Sequence, residues 1–259
     1  MPELEEKIKQ ACFPILSRLA TRLPGSKLEE AGKMIAEGLA EFFQAEKAEN
    51  QVTELLRTCK LLDQAGFFPG KSGNISIRRT PETFLITPTG VRKTELTSPD
   101  LVEMSMNGHI ISGKRKPSSE VKMHCHIYQK RPDVKAVVHA HPPFATGFAA
   151  AGLPLDVPVL PEAILVLGKI ALAEYGTPGT WELPHSLTPY LERGDNTFLL
   201  SNHGALTLGN SLGQASHRME TLELFANVLL ISRLLGGEKI LGSSELEKLA
   251  LTHSNPVKG

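Results

Sequence analysis

Between Lys116 and Pro143 the chain reads KPSSEVKMHCHIYQKRPDVKAVVHAHPP. Glu120 follows Ser118 and Ser119, and nineteen positions later His139-Ala140-His141 closes an apolar run. Residues i and i+2 of a strand share a face, so both imidazoles could reach one ion; on a helix the same spacing turns them about 200° apart. Val134 to Val138 is rich in β-branched residues and follows the turn signal Arg131-Pro132-Asp133, which predicts a strand. The pair can therefore chelate. His124 and His126 have the same spacing but lie in EVKMHCHIYQK, a predicted helix with Ser118 or Ser119 as N-cap, so they should diverge and share no metal.

A catalytic zinc usually keeps three protein ligands and one open position, so the pair needs a partner. His203 is the best candidate. It follows the apolar run TFLLS at 197–201 and precedes Gly204, where the missing side chain lets backbone or ligand approach closely. His109, His185, His217 and His253 stand in hydrophilic or loop-like surroundings without ligand spacing. Three further stretches favour anions, because free backbone N–H groups and a helix start both suit a phosphate. They are the Gly-rich turn Gly70 to Asn74, the turn Thr87-Pro88-Thr89-Gly90, and Ser118-Ser119.

The elements that must position these groups are legible in outline. Leu4, Ile8, Cys12, Ile15 and Leu19 recur at helical spacing, as do Leu28, Ala31, Ile35, Leu39 and Phe42 after Leu23-Pro24-Gly25-Ser26, so residues 1–46 predict a helical hairpin. A third amphipathic helix, with Val52, Leu55, Leu56, Cys59 and Leu62, should end at Gly66. Short alternating runs follow at 75–77, 84–86, 102–106 and 109–111, the last two joined by Asn107-Gly108, a strong hairpin signal. Helices are expected at 143–151, 183–193 and 212–235, with short elements at 154–160 and 166–171. Helices bracketing a mostly antiparallel sheet exclude the eightfold strand–helix alternation of a TIM barrel.

With 259 residues the chain can bury one substantial core. Lys plus Arg number 28 against 28 Asp plus Glu, so the balance gives no reason to expect nucleic acid or an anionic membrane as partner. No apolar run reaches the roughly 18 residues of a membrane span, and a cytoplasmic protein is the expectation. Cys12, Cys59 and Cys125 stand singly, without metal or redox spacing, and read as buried small residues.

GNIS at 73–76, LITPTG at 85–90, PSSE at 117–120, VVHAH at 137–141 and NHGAL at 202–206 occur in an order and spacing that resembles the class II aldolase/adducin family. The likeness spans roughly residues 50–237. It implies a three-layer αβα fold with a central, mostly antiparallel sheet, a zinc ion, and a homotetramer with active sites between subunits. Carried over residue by residue, His139, His141 and His203 would ligate zinc, and Glu120 would be fourth ligand and catalytic acid/base. Gly73, Asn74, Thr89, Gly90, Ser118 and Ser119 would hold the substrate phosphate. The domain division expected is a helical extension at 1–48, a family domain at 49–237 and a tail at 238–259.

The activity so implied is zinc-dependent cleavage of a small phosphorylated ketose into dihydroxyacetone phosphate and an aldehyde through a metal-stabilised enediolate. Epimerisation of a pentulose phosphate and dehydration of a methylthioribulose phosphate belong to the same family. An adducin-like assembly module is the reading of another class; the presence of all three histidines and Glu120 argues against it. Where aldolases of the family usually carry a Tyr, this chain has Glu162, twenty-one residues after His141 in an otherwise apolar segment. Glu162 is accordingly expected as a second catalytic acid/base, reaching the substrate across a subunit interface.

Overall fold

A computed structural model of the protein describes Phe13, Pro14 and residues 25–254. It divides into two compact units, Met1–Thr53 and Glu54–Gly259. Apart from Phe13 and Pro14, the first predicted N-terminal helix lies outside the described residues. The second and third are not separate: helix α1 runs unbroken from Gly25 to Gln64. The apolar stripe shifts phase between Phe42 and Val52, but Gln44 to Gln51 contains neither Gly nor Pro and mostly good helix formers, so nothing stops the hydrogen-bond ladder there. Gly66, at φ +84°, follows its end. Of α1 within the second unit, Leu55, Cys59 and Leu62 are buried.

The second unit is built on one eight-stranded sheet. Its strands are β1 (Asn74–Arg78), β2 (Thr83–Ile86), β3 (Val102–Ser105), β4 (Ile110–Ser112), β5 (Ala136–Ala140), β6 (Ile170–Ala173), β7 (Thr197–Leu200) and β8 (Gly204–Gly209). Their order across the sheet is β4-β3-β2-β1-β5-β8-β7-β6. Every pair is antiparallel except β6–β7. A parallel pair needs a long crossover, and helix α5 (Glu182–Arg193) supplies it.

Helices cover both faces. On one, α2 (Val121–Lys130) packs with α5 over a core that includes Phe84, Met104, Ile127, Tyr128, Val137, Phe198 and Leu206. On the other, α3 (Pro143–Ala151) and the long α6 (Leu212–Leu234) lie against β5, β7 and β8, and α4 (Pro161–Leu167) packs on α6. The three-layer expectation holds. β5, third from neither edge and covered on both sides, is buried at every residue, which is why it reads as a continuous apolar run rather than an alternation.

Three details differ from expectation. The segment 154–160 carries no regular element, and helix α4 begins only at Pro161, where Pro suits a first helical turn. The expected C-terminal tail holds helix α7, Ser243–Ser254. The N-cap of α2 is Glu120, not Ser118 or Ser119. Ser118 donates its N–H to the Thr87 carbonyl beside a Pro88–Pro117 bridge, and its carbonyl and hydroxyl accept from Val121 and Glu120 in a turn that leads into the helix. The carboxylate of Glu120 makes no cap hydrogen bond and is left to face the sheet.

Candidate metal centre

His139 stands in β5 between Asn74 of β1 and Leu206 of β8. Its Nδ1 lies 2.8 Å from the Ala205 carbonyl oxygen. A carbonyl only accepts, so Nδ1 carries the proton and Nε2 keeps its lone pair. That lone pair faces Glu120 Oε2 at 3.0 Å. Two acceptors at this distance repel unless a cation, a proton or a metal, sits between them. The second oxygen of Glu120 lies 3.4 Å from His203 Nε2.

The other two histidines come from loops that the strands fix. His141 is one residue beyond β5, tied by its N–H to the Phe67 carbonyl at 2.9 Å. His203 sits in the β7–β8 turn, where Asn202 takes a left-handed φ of 56°. A Cβ on Gly204 would stand 2.7 Å from the Ala140 carbonyl and 2.8 Å from the His141 ring, so only glycine leaves room for the rings to gather. Ring centroids are 4.8 Å (139–141), 4.7 Å (139–203) and 5.4 Å (141–203) apart. One ligating atom from each of the three lies within 4.8 Å of the others.

The donor set fits a divalent metal. His139 Nε2, His141 Nδ1, His203 Nδ1 and Glu120 Oε1 are all buried without a hydrogen-bond partner. Proteins rarely leave such groups unsatisfied, and orphaned atoms on four side chains that gather around one place fit a bound cation. Electrostatics agree. Burial and the neighbouring rings of His139 and His203 lower His141 to about 3, and burial with His139 lowers His203 to about 4, so both are neutral, the form that binds metal. Burial pushes the Glu120 carboxyl up, but His139, His203 and Asn74 together hold it well below the usual range. Burial pulls His139 down, and the opposed Glu120 carboxylate more than reverses this.

The expected phosphate elements are brought together beside this centre. Thr87 donates its N–H to Ile75 and accepts from the Ile75 N–H through its hydroxyl, which ties the 87–90 turn to β1. Thr89 donates to Lys116, and Ser118 to Thr87, which ties the same turn to the start of α2. Gly90 (φ +77°), Thr89 and Ser119 are exposed there. Asn74 and Ser118 are occupied otherwise: the Asn74 amide donates to Glu120 Oε2 at 2.8 Å, and Ser118 Oγ accepts from the Glu120 N–H at 3.3 Å. Gly73, at φ +69°, lies against the Phe68 ring with the His139 carbonyl 2.9 Å from where a Cβ would be, so its bareness serves packing behind the histidine.

Glu162 is exposed in the first turn of α4. A cavity of ≈ 550 Å³ beside that helix is lined by Ala163, Ile164, Tyr190, Arg193 and Phe225 among others, and includes neither Glu162 nor the histidines. Two residues near the centre have no role assigned to them from the sequence. His124, one helical turn after Glu120, bonds Asn74 and Ser76 from inside the core, a relation the i, i+4 spacing could have suggested. Lys93 is a buried cation over the Phe68 ring, with its ammonium 3.4 Å from the Lys71 carbonyl behind the Gly70–Gly73 turn.

A mixed sheet between helical layers, with three histidines and a carboxylate gathered at the end of a central strand, has the donor set of a metal-dependent enzyme. The Class II Aldolase and Adducin N-terminal domain matches residues 53–230, and the chain belongs to that family. It is 38% identical over 177 residues to an L-fuculose phosphate aldolase of Methanococcus maripaludis, covering 68% of this chain and 94% of the relative. It is also 36% identical to a 3-oxo-tetronate 4-phosphate decarboxylase of Pectobacterium atrosepticum, with 68% and 81% covered. A solved L-fuculose 1-phosphate aldolase superposes with a TM-score of 0.70 at 31% identity, over 80% of this chain and 97% of that one.

Proposed function

We propose that the protein is a zinc-dependent lyase that breaks a carbon–carbon bond next to the carbonyl of a small phosphorylated sugar, releasing dihydroxyacetone phosphate and an aldehyde. The observation that carries this is the opposition of the His139 Nε2 lone pair and the Glu120 carboxylate across 3.0 Å, with His141 and His203 closing the same space. His139, His141 and His203 would hold the metal, with Glu120 as a displaceable fourth ligand. Bound there, the ion supplies Lewis acidity to the substrate's carbonyl oxygen.

The chain's own residues do the rest. Glu120, anchored through one oxygen, would take the proton from carbon as a carboxylate in the condensing direction and, as the carboxylic acid so formed, would return it to the carbon left electron-rich by cleavage. The turn at Thr89-Gly90 and the Ser118-Ser119 segment would bind the phosphate; that Gly90, Thr89 and Ser119 are exposed supports this reading. Binding energy collected there, away from the reacting bond, orients the carbons against Glu120. Aldol cleavage also requires a base for the hydroxyl of the departing aldehyde. We assign it to Glu162 of a second copy in a tetramer, since within one chain Glu162 is exposed on α4.

The decarboxylase relative supports a second reading. Loss of carbon dioxide from a 3-oxo acid leaves the same electron-rich carbon but asks for no proton removal from a hydroxyl, so Glu120 alone could serve it. One panel decides: dihydroxyacetone phosphate release from phosphorylated ketoses, against carbon dioxide release from 3-oxo acid phosphates. Turnover of neither class by metal-loaded protein would overturn the proposal.

A further inference from the structure

A chain of buried side chains runs from the core to Glu120. Tyr128 OH lies 2.8 Å from Ser76 Oγ, and Ser76 Oγ lies 2.6 Å from His124 Nδ1. His124 Nε2 meets Asn74 Oδ1, and Asn74 Nδ2 reaches Glu120 Oε2 at 2.8 Å. All five residues are buried.

The direction of every bond follows from its last member. An ionised carboxylate only accepts, so Asn74 must present its NH₂ to Glu120 and its carbonyl oxygen to His124. His124 must then donate from Nε2, which leaves Nδ1 to accept from Ser76, which in turn accepts from Tyr128. Four donors point one way, toward the carboxylate. The ring of His124 is fully buried, and burial lowers it to about 3, in keeping with a neutral imidazole with one donor and one acceptor.

The two oxygens of Glu120 are thereby made unequal. Oε2 is held by Asn74, whereas Oε1 is buried with no hydrogen-bond partner and turns toward His203. We propose that His124 is a positioning residue for the reaction: by fixing the orientation of the Asn74 amide it anchors Oε2 and leaves Oε1 as the oxygen that carries the proton. This rests on Glu120 being the proton carrier, which Glu120→Gln tests separately.

The experiment compares two polar replacements of the same buried ring in the metal-loaded protein. A Gln amide nitrogen falls near the place of Nε2 and can still donate to Asn74; an Asn side chain reaches only as far as Nδ1 and cannot. His124→Asn should lower kcat by about 10–100-fold, the usual cost of losing a supporting hydrogen bond behind an active carboxylate, with KM and metal content unchanged. His124→Gln should recover most of that loss. Equal kcat in the two variants, or a loss carried by KM or metal content, would overturn the positioning role while leaving Glu120 in place. If His124→Asn does not fold, ¹⁵N NMR of the imidazole in the wild type decides: a ring protonated on Nε2 supports the chain, and one protonated on Nδ1 breaks it.

Discussion

At the centre each histidine is made a ligand by a different neighbour. His139 has its tautomer set by the Ala205 carbonyl, His141 its place set by the Phe67 carbonyl, and His203 its room made by Gly204. Replacing any one of the three by Ala should abolish metal retention after gel filtration, since a three-ligand site rarely survives with two; full occupancy in the triple variant would refute the assignment. Glu120→Gln should keep much of the metal while losing about 10²–10⁴ in rate, because it removes the proton carrier and one weak ligand. Gly204→Ala is a sharper probe, because it changes no ligand. Its methyl would have to displace the Ala140 backbone and the His141 ring, so it should cost about 1–3 kcal/mol of stability and loosen the metal. Wild-type metal affinity in that variant would show that the rings do not need the gap.

The elements were legible where periodicity speaks directly. β5, the 107–108 hairpin, α2, α5 and α6 follow from pattern and turn residues, and five short strings with their spacing brought Glu120 and the three histidines together before any fold was known. What stayed hidden depended on tertiary partners. The unbroken α1 crosses a phase shift that looks like a boundary, β8 is a fully buried strand whose GALTLG has no alternation, and the turn before α2 is tied through Ser118 to the distant Thr87. The support of α3 is of the same kind. Glu223, buried on α6, accepts the N–H groups of Phe144 at 3.0 Å and Ala145 at 2.8 Å, and so caps the helix that follows His141. Its removal leaves two donors unpaired at that helix start, so Glu223→Ala should cost about 1–3 kcal/mol. A lower thermal midpoint with metal content near wild type would fit; an unchanged midpoint would not.

Over the whole molecule, the buried imidazoles tie stability to pH. His124 and His141 are lowered to about 3 and His203 to about 4, from an ordinary value of 6.5. The unfolded chain therefore takes up protons at these sites that the native state refuses, and stability present above about pH 6.5 is lost as pH falls toward 3–4. Glu120, also lowered, acts in the same direction below its ordinary 4.5. His139, raised by Glu120, has the opposite sign and acts in a different window: its contribution is present below 6.5 and lost as pH rises above it. The metal-free protein should show its highest thermal midpoint close to neutral pH and a steady decline from about 6.5 down to 4; a midpoint constant through pH 4 would contradict the burial of these rings. Among the described residues no helix is long and apolar enough to cross a membrane.

The buried thiols give the fold a clock. Burial raises Cys59, on α1, to about 12 and Cys125, on α2, to about 11, so neither is a nucleophile near neutral pH. A disulfide reagent can label them only when their helix lifts from the residues that bury them, and Cys125 lies five residues from Glu120, between His124 and His126. In a Cys12→Ser background, which silences the thiol outside the described residues, the labelling rate of Cys125 reads how often the centre's own helix opens, and that of Cys59 how often α1 does. Metal should slow the first far more than the second, separating a local opening at the reacting carboxylate from a breathing of the entire fold.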